Sequence, residues 1–268
     1  KLMIGAGLRA FALTDHDTTK GIVKAAALLE KLQQEPDRLR SLVSSATSDA
    51  STKLSNPDFF PGVELSCEFE GQEVHVLAYF WKKEAAFKLR PYLRTLGRSR
   101  EKRNRQMIER LRELGFAISV EDLRSLAENK VGRVHMGQWL IKHGAVQDMS
   151  EAFARYLGRD GLAYVQRERK SVAESIQHVH EAGGVAFIAH PHEYGWCDEN
   201  SLLRQKIERL LPCGLDGIEA FHSQASPEAR ALALAVAEQF SLPVSAGSDW
   251  HGSNRPGRDF YKKGTTFF

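Results

Sequence analysis

The stretch LRAFALTDHDTTKGIVKAAALL, residues 8 to 29, sets the pattern from which the fold of this chain is predicted. Its first six residues form an apolar run with β character, and they lead into Asp15, His16 and Asp17. From Gly21 to Leu32 apolar residues recur at helical spacing, as on one face of an amphipathic helix. The stretch therefore predicts a strand, a polar strand exit and a helix.

Other β-rich segments also carry a histidine or a carboxylate at or beside a strand end. They are GVELS with Glu64 (62–66), VHVLAYF with His75 (74–80), VAFIA before His190 (185–189), GIEAF before His222 (217–221), and PVSAG before Asp249 and His251 (243–247). Helix signals lie between them, because Ser171 with Glu174 matches a capping box and Ser226 precedes a proline at a first helical position. Alternating strands and helices predict an α/β fold with a mainly parallel sheet, whose catalytic groups lie at the carboxyl ends of the strands.

Two regions depart from this alternation. Residues 35 to 58 are polar and rich in serine, which predicts a long loop. From about Glu84 to Val165 no strand is evident, while apolar residues recur at helical spacing. We therefore expect three parts: a first barrel part over 1–83, a helical insertion over 84–165 and a second barrel part over 166–268.

The composition is that of an ordinary globular protein. Of 268 residues, 42% are hydrophobic and 26% are charged, and no run approaches the roughly 18 apolar residues of a membrane span. No signal peptide is evident. The three cysteines form no C-x-x-C pair, which favours neither a disulfide framework nor a cysteine zinc site. We expect a reducing, cytoplasmic location, with no membrane partner.

Positive charge is concentrated in one segment of the predicted insertion. Between Lys88 and Arg112 there are ten lysines or arginines against two acids, Glu101 and Glu109, whereas the formal net charge of the whole chain is only +3. Such a concentration is typical of a surface that meets phosphates. A solvated helix face is the alternative interpretation.

Histidines and carboxylates together form a candidate metal site. Ten histidines are present, and those at or beside predicted strand ends are His16, His75, His190, His222 and His251, accompanied by Asp15, Glu64 and Asp249. Mixed imidazole and carboxylate ligands suit Zn²⁺, Mn²⁺ or Fe²⁺, whereas a pure oxygen set would favour Mg²⁺ or Ca²⁺. Because a carboxylate has two oxygens, Glu64 could bridge two ions.

Five short motifs, taken together and in order, resemble those of the PHP (polymerase and histidinol phosphatase) superfamily of phosphoesterases. They are TDHDT (14–18), PGVELS (61–66), EVHV (73–76), AHP (189–191) and GSDWHG (247–252). The likeness extends to the branch of nucleoside 3′,5′-bisphosphate phosphatases and RNase AM-type exoribonucleases, through GRVH (132–135) and YLGRDGLAYV (156–165). It covers nearly the whole chain.

The resemblance implies a distorted (β/α)7 PHP barrel with a mainly helical inserted domain and two or three divalent metal ions. The implied metal ligands are His16, Glu64, His75, His190, Asp249 and His251, with Glu64 as the bridge. His16, Asp15 and His251 are the predicted catalytic residues. Asp15 and Asp17 either form a turn or orient His16.

The predicted substrate-binding residues lie mostly in the insertion. The resemblance implies that Arg133 and His135, with Arg103, bind a phosphate group. For His222 two interpretations stay open, namely a polar residue at a strand end and a substrate contact.

The chain also departs from the family pattern in two places. The first barrel strand of the family bears an H-x-H pair, and this chain contains no such element, so we expect the missing strand to precede Lys1. The family usually has glycine after AHP, where this chain has His192. His192 either adds a ligand or changes the loop.

The predicted function is hydrolysis of nucleotide phosphate esters by metal-activated water. The implied substrates are 3′,5′-bisphosphonucleosides, which lose the 3′-phosphate, and short RNA trimmed from its 5′ end. A nucleotide or short RNA is thus the expected partner, and no protein partner is indicated.

Two alternatives of different kinds remain open from the sequence. Asp15, Asp17 and Thr19 after an apolar strand match the D-x-D-x-T nucleophile motif of haloacid-dehalogenase-type phosphatases, in which Asp15 would attack phosphorus. The second alternative is a non-catalytic nucleotide or nucleic-acid binding module with a decayed metal site.

Overall fold

A computed structural model describes residues 8–35, 58–126 and 131–250, which form two compact units. The first unit contains residues up to Leu93 and from Lys170 onward, and the second runs from Arg94 to Arg169. Nearly all of the predicted loop over 35–58 lies outside the described residues, as does His251. The predicted division at 83/84 and 165/166 stays a prediction about domains.

The first unit is built on a curled, half-barrel β-sheet. Its strands are β1 (Ala10–Leu13), β2 (Asp58–Phe69), β3 (Gln72–Tyr79), β4 (Lys170–Ser171), β5 (Val185–Ile188), β6 (Gly217–His222) and β7 (Val244–Gly247). The order across the sheet is β1-β2-β3-β5-β6-β7, with β4 also paired to β2. The strands predicted from the sequence are confirmed, although β2 is much longer than predicted. The further strand expected before Lys1 stays a prediction.

Strand β3 runs against both of its neighbours, so the sheet is mixed rather than uniformly parallel. β3 pairs antiparallel with β2 and with β5, whereas β5, β6 and β7 pair in parallel. The cause is a tight hairpin, in which Glu70 (φ 53°) and Gly71 (φ 78°) both have positive φ. Two successive residues of positive φ match the twist that joins antiparallel strands.

Helices follow most of the strands. They are α1 (Lys20–Gln34), α2 (Lys83–Lys88), α3 (Arg90–Glu113), α4 (Val120–Leu126), α5 (Arg133–Lys142), α6 (Met149–Ala152), α7 (Val172–Ala182), α8 (Asn200–Leu210) and α9 (Pro227–Gln239). The predicted helix starts are confirmed, since the hydroxyl of Ser171 accepts from the Glu174 amide (3.1 Å) and that of Ser226 accepts from the Ala229 amide (3.1 Å). Helix α7 ends at Gly183, which has the left-handed φ of 85°.

Apolar burial holds α7 against the sheet. Val172, Ile176 and Val179 of α7 are fully or almost fully buried, and the helix contacts β2, β3 and β5. The sheet residues Val76 and Ile188 are also fully buried, with 0% exposure. This contact fixes the relative positions of β3 and β5, the strands that carry His75 and precede His190.

The second unit has its own apolar core, and none of its described residues lies in a β-strand. The core includes Met107, Leu111, Ile118, Leu123, Met136, Leu140 and Leu157. In the described residues no helix is long and apolar enough to cross a membrane. All three cysteines are free thiols. The cytoplasmic location stays a prediction.

Candidate metal centre at the strand ends

The reversal of β3 explains why His75, near the start of its strand, meets residues that follow the ends of other strands. In an antiparallel neighbour the amino end lies at the edge where the parallel strands finish. The amide of Ala189, just after β5, donates to the carbonyl of His75 (3.0 Å). His75 and His190 therefore lie at one edge of the sheet.

Glu64 is the centre of the site. Its Oε1 lies 2.8 Å from Nδ1 of His75 and 3.2 Å from Nε2 of His190, and its Oε2 lies 3.7 Å from Nδ1 of His16. The Glu64 side chain is only 7% exposed. One buried carboxylate thus faces three imidazoles that come from three separate segments of the chain.

The donor atoms fall into two groups that share Glu64. One group contains His16, Glu64 and His75, and the other contains Glu64, His190 and Asp249, with the donor atoms of each group within 4.8 Å of one another. Nitrogen and oxygen donors in these numbers suit a borderline divalent ion. Because a carboxylate has two oxygens, Glu64 could serve as a ligand in both groups. The chemistry of the donors therefore fits divalent metal ions.

The protonation of the site reflects this crowding. Burial alone would raise the pKa of Glu64, but His16, His75 and His190 outweigh it and hold the pKa well below its usual range. Burial opposes charge on His190 too, yet Glu64 raises the pKa of that imidazole to about 9. Without metal, the proton that His190 holds therefore offsets the negative charge of Glu64.

Backbone hydrogen bonds hold the strand that carries Glu64 against the exit of β1. The Asp17 amide donates to the Glu64 carbonyl (2.8 Å), and the Glu64 amide donates to the Asp15 carbonyl (3.3 Å). Asp17 is 1% exposed, and its Oδ1 accepts from the Ser66 amide (2.9 Å). Asp17 therefore positions Glu64 and His16 rather than forming only a turn.

Replacing Asp17 by alanine should lower the free energy of unfolding by about 2 kcal/mol, because the buried Ser66 amide loses its charged acceptor. Asp17 also has a φ of 51°, which asparagine tolerates and alanine does not. Asp17→Asn should therefore cost clearly less. Urea unfolding of both variants measures the difference, and equal losses would contradict this role.

Two groups that support the site were not predicted from the sequence. Glu219 lies within β6, where its Oε2 accepts from the His190 amide (2.8 Å), and burial raises its pKa to about 7. The hydroxyl of Tyr194 accepts from the His75 amide (2.7 Å). Gly247 leaves room for Glu219, since a Cβ at this position would lie 2.0 Å from its Oε1. The sequence does contain one signal for Glu219, namely a glutamate inside a strand that has no other acidic or basic residue apart from its final histidine.

His222 lies in a second cluster with His192 and Glu193, whose donor atoms also lie within 4.8 Å of one another. His222 is 0% exposed, and its Nδ1 accepts from the Gln224 amide (3.2 Å). A neutral ring that accepts at Nδ1 carries its proton on Nε2. With a neutral ring, Nε2 of His222 is therefore a hydrogen-bond donor.

Asp15 is placed by a glycine of α1. A Cβ at Gly21 would lie 2.1 Å from Oδ2 of Asp15, so only glycine leaves space for this carboxylate. The Asp15 carbonyl accepts from Glu64, as described above. Asp15 thus belongs to the segment that carries His16.

The other predicted substrate-binding residues belong to the second unit. Arg103 is 6% exposed, and the guanidinium of Arg133 donates to the carbonyl of Leu157 (3.4 Å). Nδ1 of His135 accepts from the Gly132 amide (3.0 Å), and burial lowers the pKa of His135. A neutral His135 therefore keeps its proton on Nε2 and can donate it to an acceptor.

Known proteins are similar to this chain over most of its length. A 5′-3′ exoribonuclease of Haemophilus influenzae is 29% identical over 245 residues, 91% of this chain and 80% of that protein. A 3′,5′-nucleoside bisphosphate phosphatase of Chromobacterium violaceum is 31% identical over 255 residues, 92% of this chain and 79% of that protein. A solved structure from Bifidobacterium adolescentis, assigned as a metal-dependent phosphoesterase, superimposes with a TM-score of 0.74 at 27% identity and covers 95% of this chain and 82% of that one. No family model matches the sequence.

The fold, the site and these relatives define an enzyme of the metal-dependent phosphoric ester hydrolases. The chain belongs to the PHP superfamily of phosphoesterases, as its motifs indicated. This membership removes the haloacid-dehalogenase interpretation of Asp15 and the interpretation as a non-catalytic binding module.

Proposed function

We propose that this enzyme hydrolyses the 3′-phosphate of 3′,5′-bisphosphonucleosides and trims short RNA from a 5′-phosphorylated end. The observation that carries the proposal is the buried Glu64 carboxylate shared between two groups of nitrogen and oxygen donors. The names of the Haemophilus and Chromobacterium relatives point to the substrates. The general class, a metal-dependent phosphoesterase acting on nucleotides or RNA, agrees with all of them.

The metal ligands in this proposal are those predicted from the sequence. They are His16, Glu64, His75, His190, Asp249 and His251, the last of which lies outside the described residues. Two or three ions of Mn²⁺, Zn²⁺ or Fe²⁺ suit this set. When bound, such ions activate water at neutral pH and offset charge on phosphoryl oxygens.

The side chains of the enzyme have separate tasks. Glu64 and His190 are metal ligands in this proposal, while His222 offers its Nε2 proton to a phosphoryl oxygen. Asp15 orients His16. His16 and His251 are the catalytic residues of this proposal. Arg133, His135 and Arg103 hold the 5′-phosphate by charge-assisted hydrogen bonds, which are shorter and stronger than neutral ones.

The test measures metal content and phosphate release together on the purified protein. We expect at least one transition metal per chain by mass spectrometry, and release of inorganic phosphate from adenosine 3′,5′-bisphosphate that stops with a chelator and returns with Mn²⁺. Histidinol phosphate serves as the control substrate and should be hydrolysed much more slowly. A protein without metal, or one that prefers histidinol phosphate, would overturn the proposal.

A further inference from the structure

Four basic side chains form a row along one side of α3, all in the second unit and all exposed. We call the following set the basic row: Arg94, Arg98, Lys102 and Arg105. At 3.6 residues per turn their directions fall within an arc of about 80°. With a rise of 1.5 Å per residue, neighbours in the row are separated by roughly 6, 6 and 4.5 Å along the helix axis. The row is thus a regular line of positive charge.

The charge of the row is available to a ligand. In residues 8–35, 58–126 and 131–250, Arg98, Lys102 and Arg105 form no ion pair. Farther along the same helix the situation differs, because Arg110 and Arg112 donate to backbone carbonyls. The three cations of the basic row therefore differ from Arg110 and Arg112, whose side chains bind the backbone of the second unit.

Three members of the row line a surface depression of about 380 Å³, together with Glu101 and Gln106. The side chains around it carry three positive charges and one negative charge, and none of them is apolar. The depression therefore lacks the apolar anchors that commonly contribute to protein interfaces and to amphipathic membrane helices. A hydrophilic polyanion fits this depression better.

We propose that the basic row binds the phosphodiester backbone of single-stranded RNA. The inference rests on the proposed function and adds to it that RNA substrates are held by several nucleotides, not by the 5′-phosphate alone. A groove or row of cations that tracks the backbone is the usual way in which single-stranded nucleic acids are bound without sequence preference. Binding of this kind is independent of base sequence and weakens with salt.

The test compares two triple variants of the full chain that remove the same charge. The variant of the row is Arg98→Gln with Lys102→Gln and Arg105→Gln. The matched control changes exposed cations of the first unit, namely Lys24→Gln with Lys31→Gln and Arg204→Gln. Fluorescence anisotropy with a labelled, 5′-phosphorylated ten-nucleotide RNA, in the presence of a chelator that stops turnover, gives Kd over a range of salt.

The row variant should bind this RNA at least about tenfold more weakly at low salt, and the slope of log K against log salt should decrease by about 2, since each phosphate contact on a single strand contributes roughly 0.7. The control triple should bind like the wild type, and phosphate release from adenosine 3′,5′-bisphosphate should be unchanged in both variants. Unaltered RNA binding by the row variant, or equal losses in both triples, would overturn the inference. If the wild type releases no phosphate from any nucleotide, the proposed function fails instead, whatever the RNA binding.

Discussion

Replacing Glu64 by glutamine should lower kcat/KM for a bisphosphonucleoside by about 1000-fold, a loss of roughly 4 kcal/mol in transition-state stabilisation. Glutamine has nearly the same shape but carries no charge, and its amide nitrogen cannot bind a cation. The donor groups around His75 and His190 share Glu64, so this single change affects both. Bound metal per chain should fall together with turnover, and mass spectrometry with steady-state kinetics measures the two.

The matched control is Glu68→Gln on the same strand. Glu68 is exposed, and its Oε1 accepts from the Gly71 amide, a bond that a glutamine oxygen can retain. This variant should keep its metal and its activity. If Glu64→Gln keeps its metal and turns over at a rate near the wild type, then Glu64 is not the bridging ligand.

The strands and the residue types at their ends could be predicted because both depend on local sequence. An apolar run followed by His or Asp is visible in TDHD and in AHP without any knowledge of distant contacts. The pairing of Glu64 with His16, His75 and His190 depends instead on strand order. The motifs supplied that pairing only by resemblance, since spacing along the chain does not determine it.

The direction of β3 and the support of His190 could not be predicted in the same way. Glu70 and Gly71 are not a common hairpin pair, so the reversal of the chain at this turn left little signal. Glu219 lies within a strand, whereas the site residues predicted from the sequence lie at or beside strand ends. Only the structure places its carboxylate against the His190 amide. Positioning residues of this kind are recognised by their contacts and not by their place in a motif.

Replacing Glu219 by glutamine should change how the stability of the metal-free protein depends on pH. Burial is the main cause that raises the pKa of Glu219 from 4.5 to about 7, and the nearby carboxylates Glu64 and Asp249 add to it, while His190 opposes it. A carboxyl group with a raised pKa stays protonated in the folded state after it has ionised in the unfolded state. The unfolded state then binds fewer protons, so this group makes stability fall as the pH rises from 4.5 to about 7. The glutamine variant lacks this dependence and retains an oxygen that accepts from the His190 amide.

The measurement is urea unfolding of chelator-treated wild type and Glu219→Gln at pH 5 and at pH 7.5. The difference in the free energy of unfolding, variant minus wild type, should rise by about 2.4 kcal/mol between the two pH values, because one unit of pKa corresponds to about 1.4 kcal/mol and the titration is not complete at either pH. Glu208→Gln, at an exposed position on α8, is the control and should show no such change. If the difference in the free energy of unfolding for Glu219→Gln is the same at both pH values, the prediction fails. The Glu219 carboxyl group would then have the same pKa in the folded chain as in the unfolded chain.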